Sequence, residues 1–231
     1  MSPVNKKKRH KAIHRLYGLY AIADTGVITS NQLENQVAQA LKGGAALVQY
    51  RDKTTDGERR ETQARALLEI CRQHQVPLIV NDDVQLAYDI GADGVHLGRD
   101  DMPTREARQI LGEGKIIGVS CYNEFSLALR AQQSGADYVA FGSFFPSKTK
   151  PGAVRAVIEL LHSAKAHLDI PVAAIGGITL ENGRILIEAG ADMLAVIDGL
   201  FGQEDVMSAA EHYARLFQAI KGHSGEDLSF L

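Results

Sequence analysis

Five charged side chains in this 231-residue chain are spaced so that they could act on one ligand. In "ALVQYRDK" (46–53), the apolar run Ala46, Leu47 and Val48 gives way to Gln49, Arg51 and Lys53 at alternate positions. Side chains two apart on a strand share a face. An amide, a guanidinium and an ammonium are therefore aimed one way. Lys150 adds a third cation, and Asp82 and Asp101 add carboxylates. Cations beside hard oxygen ligands, without a His or Cys cluster, point to a polyanion held with Mg2+. A diphosphate needs both. Unit charges about 4 Å apart interact by roughly 4 kcal/mol at an effective dielectric near 20, so several such contacts would neutralise a diphosphate leaving group. The competing reading pairs Arg51 and Lys53 with Asp82 and Asp101 as internal salt bridges.

A second group suits a phosphate. Gly176-Gly177 and Ile197-Asp198-Gly199 each follow an apolar run, and glycine lets backbone N–H groups approach an anion. Asp198 is at odds with this, because a carboxylate repels phosphate. Strand alternation would let its side chain turn away while its N–H serves. "FPSKTK" carries Ser147, Thr149 and Lys150, whose hydroxyls and ammonium suit phosphate oxygens. His96 alternates with apolar neighbours and reads as a core histidine. Cys121 follows Ser120, but no His–Asp pair is arranged in sequence to activate it.

These residues need a frame that brings distant segments together. Eight short apolar runs recur, at 19–22, 46–50, 78–80, 95–97, 116–119, 138–141, 172–175 and 194–197. Between them lie segments of helical period, such as 58–74 and 153–168, and a last one covers 205–219. Alternating strands and helices imply a parallel sheet. Eight units in one domain imply a (β/α)8 TIM barrel, with a doubly wound open sheet as the minor alternative. "GGAALVQY", "GADGVHLG", "GADYVAFG" and "GADMLAVI" precede alternate strands, a two-unit period that favours closure. Gly43, Gly91, Gly135 and Gly190 are expected in left-handed turns at helix ends. In such barrels chemistry gathers where strands end, and the polar residues above follow the strands.

Composition sets further bounds. The chain is 45% hydrophobic and 23% charged with a formal net charge of −3, which argues against a nucleic-acid surface. No apolar run approaches the roughly 20 residues of a membrane span. Lys6, Lys7, Lys8 and Arg9 have no apolar segment after them, so no signal peptide is expected. Residues 1–15 read as a disordered basic tail, 16–222 as the catalytic barrel and 223–231 as a C-terminal tail. Two cysteines, Cys71 and Cys121, make neither a disulfide framework nor a Zn cluster, so the expected setting is cytoplasmic.

"QYRDK", "NDD", "DGVHLGRDD", "GVSC", "DYVAFGSFFPSKTK" and "AIGGIT" occur in an order and spacing that resemble the thiamine-phosphate synthase (thiamine-phosphate pyrophosphorylase) family, over roughly residues 17–202. The resemblance implies a (β/α)8 barrel that joins a pyrimidine diphosphate to a thiazole phosphate, giving thiamine monophosphate and diphosphate. It implies that Gln49, Arg51, Lys53, Asn81 and Lys150 bind the pyrimidine diphosphate and that Asp82 and Asp101 bind Mg2+. Ser120 matches a residue near the reacting pyrimidine. Ser147 and Thr149 match the thiazole-phosphate loop, where Thr is the commoner first residue. Gly177 and the Ile197-Asp198 pair match the rest of that phosphate site, where the family often has Ser in place of Asp198. By this resemblance Arg51, Lys53, Ser120 and Lys150 form the catalytic set, and the reaction is dissociative. The partners implied are small molecules, with a homo-oligomer possible. The alternatives are a thiazole tautomerase-like barrel, which would need a proton-transfer residue near the fifth strand where Ser120 stands, another phosphosugar or indole-glycerol-phosphate type of barrel enzyme, and a non-catalytic barrel that binds thiamine precursors.

Overall fold

A computed structural model describes residues 16–147 and 152–224. Eight strands form a closed parallel barrel in chain order: β1 Gly18–Asp24, β2 Leu47–Arg51, β3 Leu78–Asn81, β4 Gly94–Leu97, β5 Ile116–Tyr122, β6 Tyr138–Phe141, β7 Val172–Ile175 and β8 Met193–Val196. The helices are α1 Leu33–Lys42, α2 Gly57–Gln73, α3 Val84–Ile90, α4 Thr104–Leu111, α5 Phe125–Gln133, α6 Glu159–His167, α7 Leu180–Glu188, the short α8 Asp198–Phe201, and α9 Val206–Ser224. β1 pairs with β8 through Gly18–Met193 and Leu19–Leu194, which closes the ring. This is the expected (β/α)8 barrel.

Period-2 alternation divides the strand residues between two cores. Tyr20, Ile22, Leu47, Ile79, Ile116, Tyr138, Ala140, Ala173, Met193 and Ala195 fill the barrel interior. Their neighbours, such as Val48, Val80, Val95, Ile117, Val139 and Leu194, pack into the larger layer under the helices. Gln49, Asn81, His96 and Ser120 lie in phase with the interior set, so their polar groups face the barrel axis.

The Gly-Ala-Asp repeat has a structural use. The N–H of Asp93, Asp137 and Asp192 donates to the carbonyl of Leu78, Ile117 and Val172 respectively. The N–H of that same residue donates back to the Asp carboxylate at 2.8–2.9 Å. Each Asp therefore ties the start of its own strand to the strand before it. Gly91, Gly135 and Gly190 have φ of 69°, 92° and 113°, as expected of helix-ending glycines. Gly43 differs. Its φ is −76°, and the left-handed position falls on Gly44 at 98°. Gly43 is instead a point of close approach to α9, where a Cβ would lie 2.4 Å from the Met207 carbonyl oxygen.

The segment 153–168 is helical only from Glu159. Its first residues are held in the β6–α6 loop. Ser143 N–H donates to Val154 O, Ala156 N–H donates to Ser143 O, both at 3.0 Å, and Arg155 donates to Phe144 O at 2.6 Å.

Candidate active site

At the C-terminal ends of the strands a cavity of about 440 Å3 opens into the barrel. Gln49, Arg51, Asn81, Ser120, Ser147, Gly177, Ile197 and Asp198 line it together. Their elements span β2 to α8, so closure of the barrel is what assembles them. Thr149 and Lys150 lie outside the described residues.

β2 sorts its residues as alternation demands. Gln49 and Arg51 face the cavity, whereas Tyr50 and Asp52 face α2. There the Tyr50 hydroxyl donates to Gln63 at 2.9 Å, and Asp52 accepts from Arg59 at 2.7 Å. Asp52 also accepts the Thr54 N–H at 2.7 Å, which shapes the turn that carries Lys53 to the rim. Burial raises the Asp52 carboxyl, but the Thr54 and Arg59 hydrogen bonds outweigh it and bring it down to about 2.

The ion pairs differ in part from the alternative of internal salt bridges drawn from the sequence. Lys53 does pair with Asp82. Arg51 pairs with Asp24 at the end of β1, a carboxylate only 5% exposed whose other oxygen accepts the Gly26 N–H at 2.9 Å. Asp83, the third residue of the Asn-Asp-Asp run, caps α3 through the Leu86 N–H at 2.9 Å and pairs with Arg60 at 2.7 Å.

Asp82 and Asp101 meet at the rim beside β3 and β4. Asp82 has a φ of 64°, and its N–H donates to His96 O at 2.8 Å. The Asp101 carboxylate accepts the Gly98 N–H at 2.6 Å. Burial raises Asp82, yet hydrogen bonds from Lys53 and Asp101 leave it below the ordinary carboxylate range. Asp101 is raised, by burial first and then by Asp82 beside it. Like-charged neighbours that push their protonation apart form a site where a cation relieves the repulsion. Among the described residues, no cluster of three or more His, Cys, Asp or Glu could hold a metal. Two carboxylates fit Mg2+, which is commonly bound by one or two carboxylates, water and substrate phosphates.

The opposite corner is built from glycine and turn backbone. Gly176 and Gly177 have φ of 102° and 61°. A Cβ on Gly177 would lie 2.2 Å from the Pro146 carbonyl oxygen, so the β6 and β7 loops touch only because this residue is glycine. Asn182 donates to the Gly177 carbonyl at 3.0 Å, which holds the turn, and both glycines line the cavity. β8 ends at Val196. Asp198 is therefore not the next residue of a strand, and the alternation argument does not apply to it. It is the first residue of α8, where N–H groups have no intrahelical partner. Its side chain is exposed, with its carboxylate beside Gly202, 2.9 Å from where a Cβ there would sit. The position of this exposed side chain is set by a helix start and not by strand alternation.

Ser120 sits on β5 where the register with β6 shifts between Ser120 and Tyr122. Such bulges re-aim side chains. Cys121 points the other way. It is buried, and burial pushes its thiol up to about 12, which opposes a thiolate nucleophile. His96 is 8% exposed and lines the cavity, bonded to Tyr138 at 2.9 Å and to Ser120 at 2.8 Å. Sequence reasoning gave it to the core and passed over Tyr20, Asp24 and Tyr138. Alternation toward the interior was the available signal for all four.

Comparison with known proteins agrees with this geometry. Residues 19–200 match the family model described as thiamine monophosphate synthase. The chain is 54% identical over 200 residues to a thiamine-phosphate synthase of Nitrosococcus oceani, which covers 87% of this chain and 92% of the relative. It is 55% identical over 202 residues to that of Thiobacillus denitrificans, covering 87% and 95%. Among solved structures, a thiamine phosphate pyrophosphorylase from Pyrococcus furiosus superposes with a TM-score of 0.80 at 34% identity, covering 89% of this chain and 98% of that one. With the family model spanning every strand from β1 to β8, the chain belongs to the thiamine monophosphate synthase family.

Proposed function

We propose that this enzyme, a transferase, condenses 4-amino-5-hydroxymethyl-2-methylpyrimidine diphosphate with 4-methyl-5-hydroxyethylthiazole phosphate to give thiamine monophosphate and diphosphate. One observation carries the reading: a single cavity has Arg51, Gln49 and Asn81 on one side and the Gly176-Gly177 turn with Ile197, Asp198 and Gly199 on the other, while the Lys53–Asp82 pair stands next to Asn81 outside its lining. Two anionic groups can be held at once, with the floor at Gln49 and Ser120 between them.

In this reading Arg51, Lys53 and Lys150 hold the diphosphate, and Gln49 and Asn81 bind the pyrimidine beside it. The thiazole phosphate takes Ser147, Thr149 and the amides of Gly177, Ile197 and Asp198. The pyrimidine carbon–oxygen bond breaks first, and its electron pair leaves with the diphosphate. The thiazole nitrogen lone pair then forms the new carbon–nitrogen bond to the methylene cation. No proton has to be removed for either step. The protein's work is charge neutralisation and alignment. Asp82 and Asp101 would hold Mg2+, which supplies further neutralisation of the leaving diphosphate. Small substrates and a cytoplasmic setting go with this chemistry, and among the described residues no helix is long and apolar enough to cross a membrane.

The test is incubation with both substrates and measurement of diphosphate and thiamine monophosphate. Both should appear together, stop in EDTA and resume with excess Mg2+. Product formation at full rate in chelator would remove the metal from the reading. Absence of diphosphate release with both substrates and Mg2+ would overturn the reading itself.

A further inference from the structure

Three buried residues that the mechanism above does not use connect its two floor residues. Gln49 Nε2 donates to the Tyr20 hydroxyl. Tyr20 and Tyr138 share a hydrogen bond of 2.7 Å across the barrel. Tyr138 Oη lies 2.9 Å from His96 Nδ1, and His96 Nε2 lies 2.8 Å from Ser120 Oγ. Gln49 and Ser120, the two ends of this chain, open to the same cavity.

Counting protons gives the chain a direction. Tyr20 is 1% exposed and Tyr138 fully buried, and burial pushes both phenols far above their ordinary range, so both keep their protons. Tyr20 accepts from Gln49. Its own proton then goes to Tyr138. If Tyr138 donated to Tyr20 instead, the Tyr20 oxygen would take two donors and its proton would be buried without an acceptor, which is the costly arrangement. The same reasoning sends the Tyr138 proton to His96 Nδ1. A neutral imidazole that accepts at Nδ1 carries its proton on Nε2, and Nε2–H donates to Ser120 Oγ. Ser120 is left to donate its own proton elsewhere.

We propose that Tyr20, Tyr138 and His96 are positioning residues, a one-way hydrogen-bond relay from Gln49 to Ser120 that fixes His96 as the Nε2–H tautomer and makes Ser120 a hydrogen-bond donor to the cavity. The inference deepens the function proposed above and rests on it only for the identity of the ligand. The Gln49 amide oxygen takes no part in the relay. The floor thus offers an acceptor at Gln49 and a donor at Ser120, a polarity that suits a ring bearing an amino group beside an acceptor atom. The packing that holds the relay is specific. The Tyr138 ring stacks on His96 at 30° and 5.6 Å and meets Tyr20 edge-on at 84° and 5.8 Å. Gly118 makes room for it, because a Cβ there would lie 2.0 Å from Tyr138 Cζ.

The direct test is two-bond 1H–15N correlation of the ligand-free, imidazole-15N protein at neutral pH, with His96→Gln to assign the signal. A pyridine-type Nδ1 and a pyrrole-type Nε2 are expected. The reverse pattern would mean that Gln49 presents its amide the other way round and Ser120 is an acceptor, and it would overturn the proposal. These spectra need no substrate, so they decide the tautomer even if the proposed reaction fails. Kinetics supply the second measurement. Tyr138→Phe interrupts the relay and should lower kcat about tenfold, with KM for the thiazole phosphate within about twofold. In His96→Gln the amide nitrogen replaces Nε2–H, so this variant should keep at least about fivefold more kcat than His96→Leu at matched Tm. Equal loss in the two His96 variants, or an unchanged kcat in Tyr138→Phe, would also overturn it.

Discussion

Arg51 is set in place before any ligand arrives. Its guanidinium is fixed by Asp24, a carboxylate almost out of water, and what remains of its fork is turned to the cavity. A lysine would keep the charge but lose the planar, two-pronged geometry. Arg51→Lys should therefore lower kcat/KM for the pyrimidine diphosphate at least about tenfold, a cost of roughly 1.4 kcal/mol in transition-state stabilisation. Unchanged kinetics would make Arg51 a rim residue only. Asp198 presents the opposite case. Its side chain is exposed and lies beside Gly202, while its N–H survives any side-chain change. Asp198→Ser should leave KM for the thiazole phosphate within about threefold, under roughly 0.7 kcal/mol. A tenfold fall in KM would mean that the carboxylate faces the phosphate.

The strand-to-helix connections carry the site, and at Gly177 two of them are in close backbone contact. Gly177 combines a φ of 61° with a neighbour that allows no methyl group. Left-handed backbone costs a non-glycine residue roughly 1–2 kcal/mol, and the clash with Pro146 adds to this. Relief requires the β7 turn and the β6 loop to move apart, which shifts the amides of the β7 turn relative to Ser147. Gly177→Ala should raise KM for the thiazole phosphate at least about fivefold and leave KM for the pyrimidine diphosphate nearly unchanged. Steady-state kinetics with each substrate varied in turn will measure the difference. Equal effects on both substrates would show that the two binding regions are not separable at this turn.

The molecule divides its labour between the two ends of the barrel. At the N-terminal end of the strands, Asp137 is 1% exposed and ties β6 to β5, and Arg108 from α4 pairs with it. Arg108 also donates to the carbonyls of Gly112 at 3.0 Å, Gly135 at 3.0 Å and Lys115. Removing one partner of a buried ion pair leaves the other charge uncompensated, at about 3–5 kcal/mol. Asp137→Ala should lose stability of that order in urea denaturation, with kcat within about twofold at a temperature where the variant is folded. A large kcat loss in folded protein would break the separation of the two ends. Asp52 adds a pH term. Its folded carboxyl is depressed to about 2 from the ordinary 3.8, so its contribution is complete above the unfolded value and disappears as pH falls through the folded one. The stability advantage of the wild type over Asp52→Asn should be constant above pH about 4 and shrink between about 4 and 2.

Local signals in the chain were enough for the barrel. Strand alternation and helical period depend on nearest neighbours along the backbone, so eight strands emerge within three residues of their observed ends, two of them without any difference, and Gln49, Arg51 and Lys53 read together as one group at the strand end. Gly-Ala-Asp was visible as a repeat because each copy meets the same local demand at a strand start. Partnership was not visible. Asp24 and Arg51 are 27 residues apart and meet because β1 and β2 pair in register, whereas Tyr20 and Tyr138 are 118 apart and meet only because closure places β1 and β6 around one axis. Gly43 carries no mark in its own turn, since α9 from the far end of the chain imposes its need for space. Residues 153–158 have helical period but hydrogen-bond to the β6 loop instead, and Asp198 follows a strand in sequence but starts a helix in space. A side chain's face follows from its own backbone, whereas its partner follows from the packing of elements that the chain brings together only when the barrel closes.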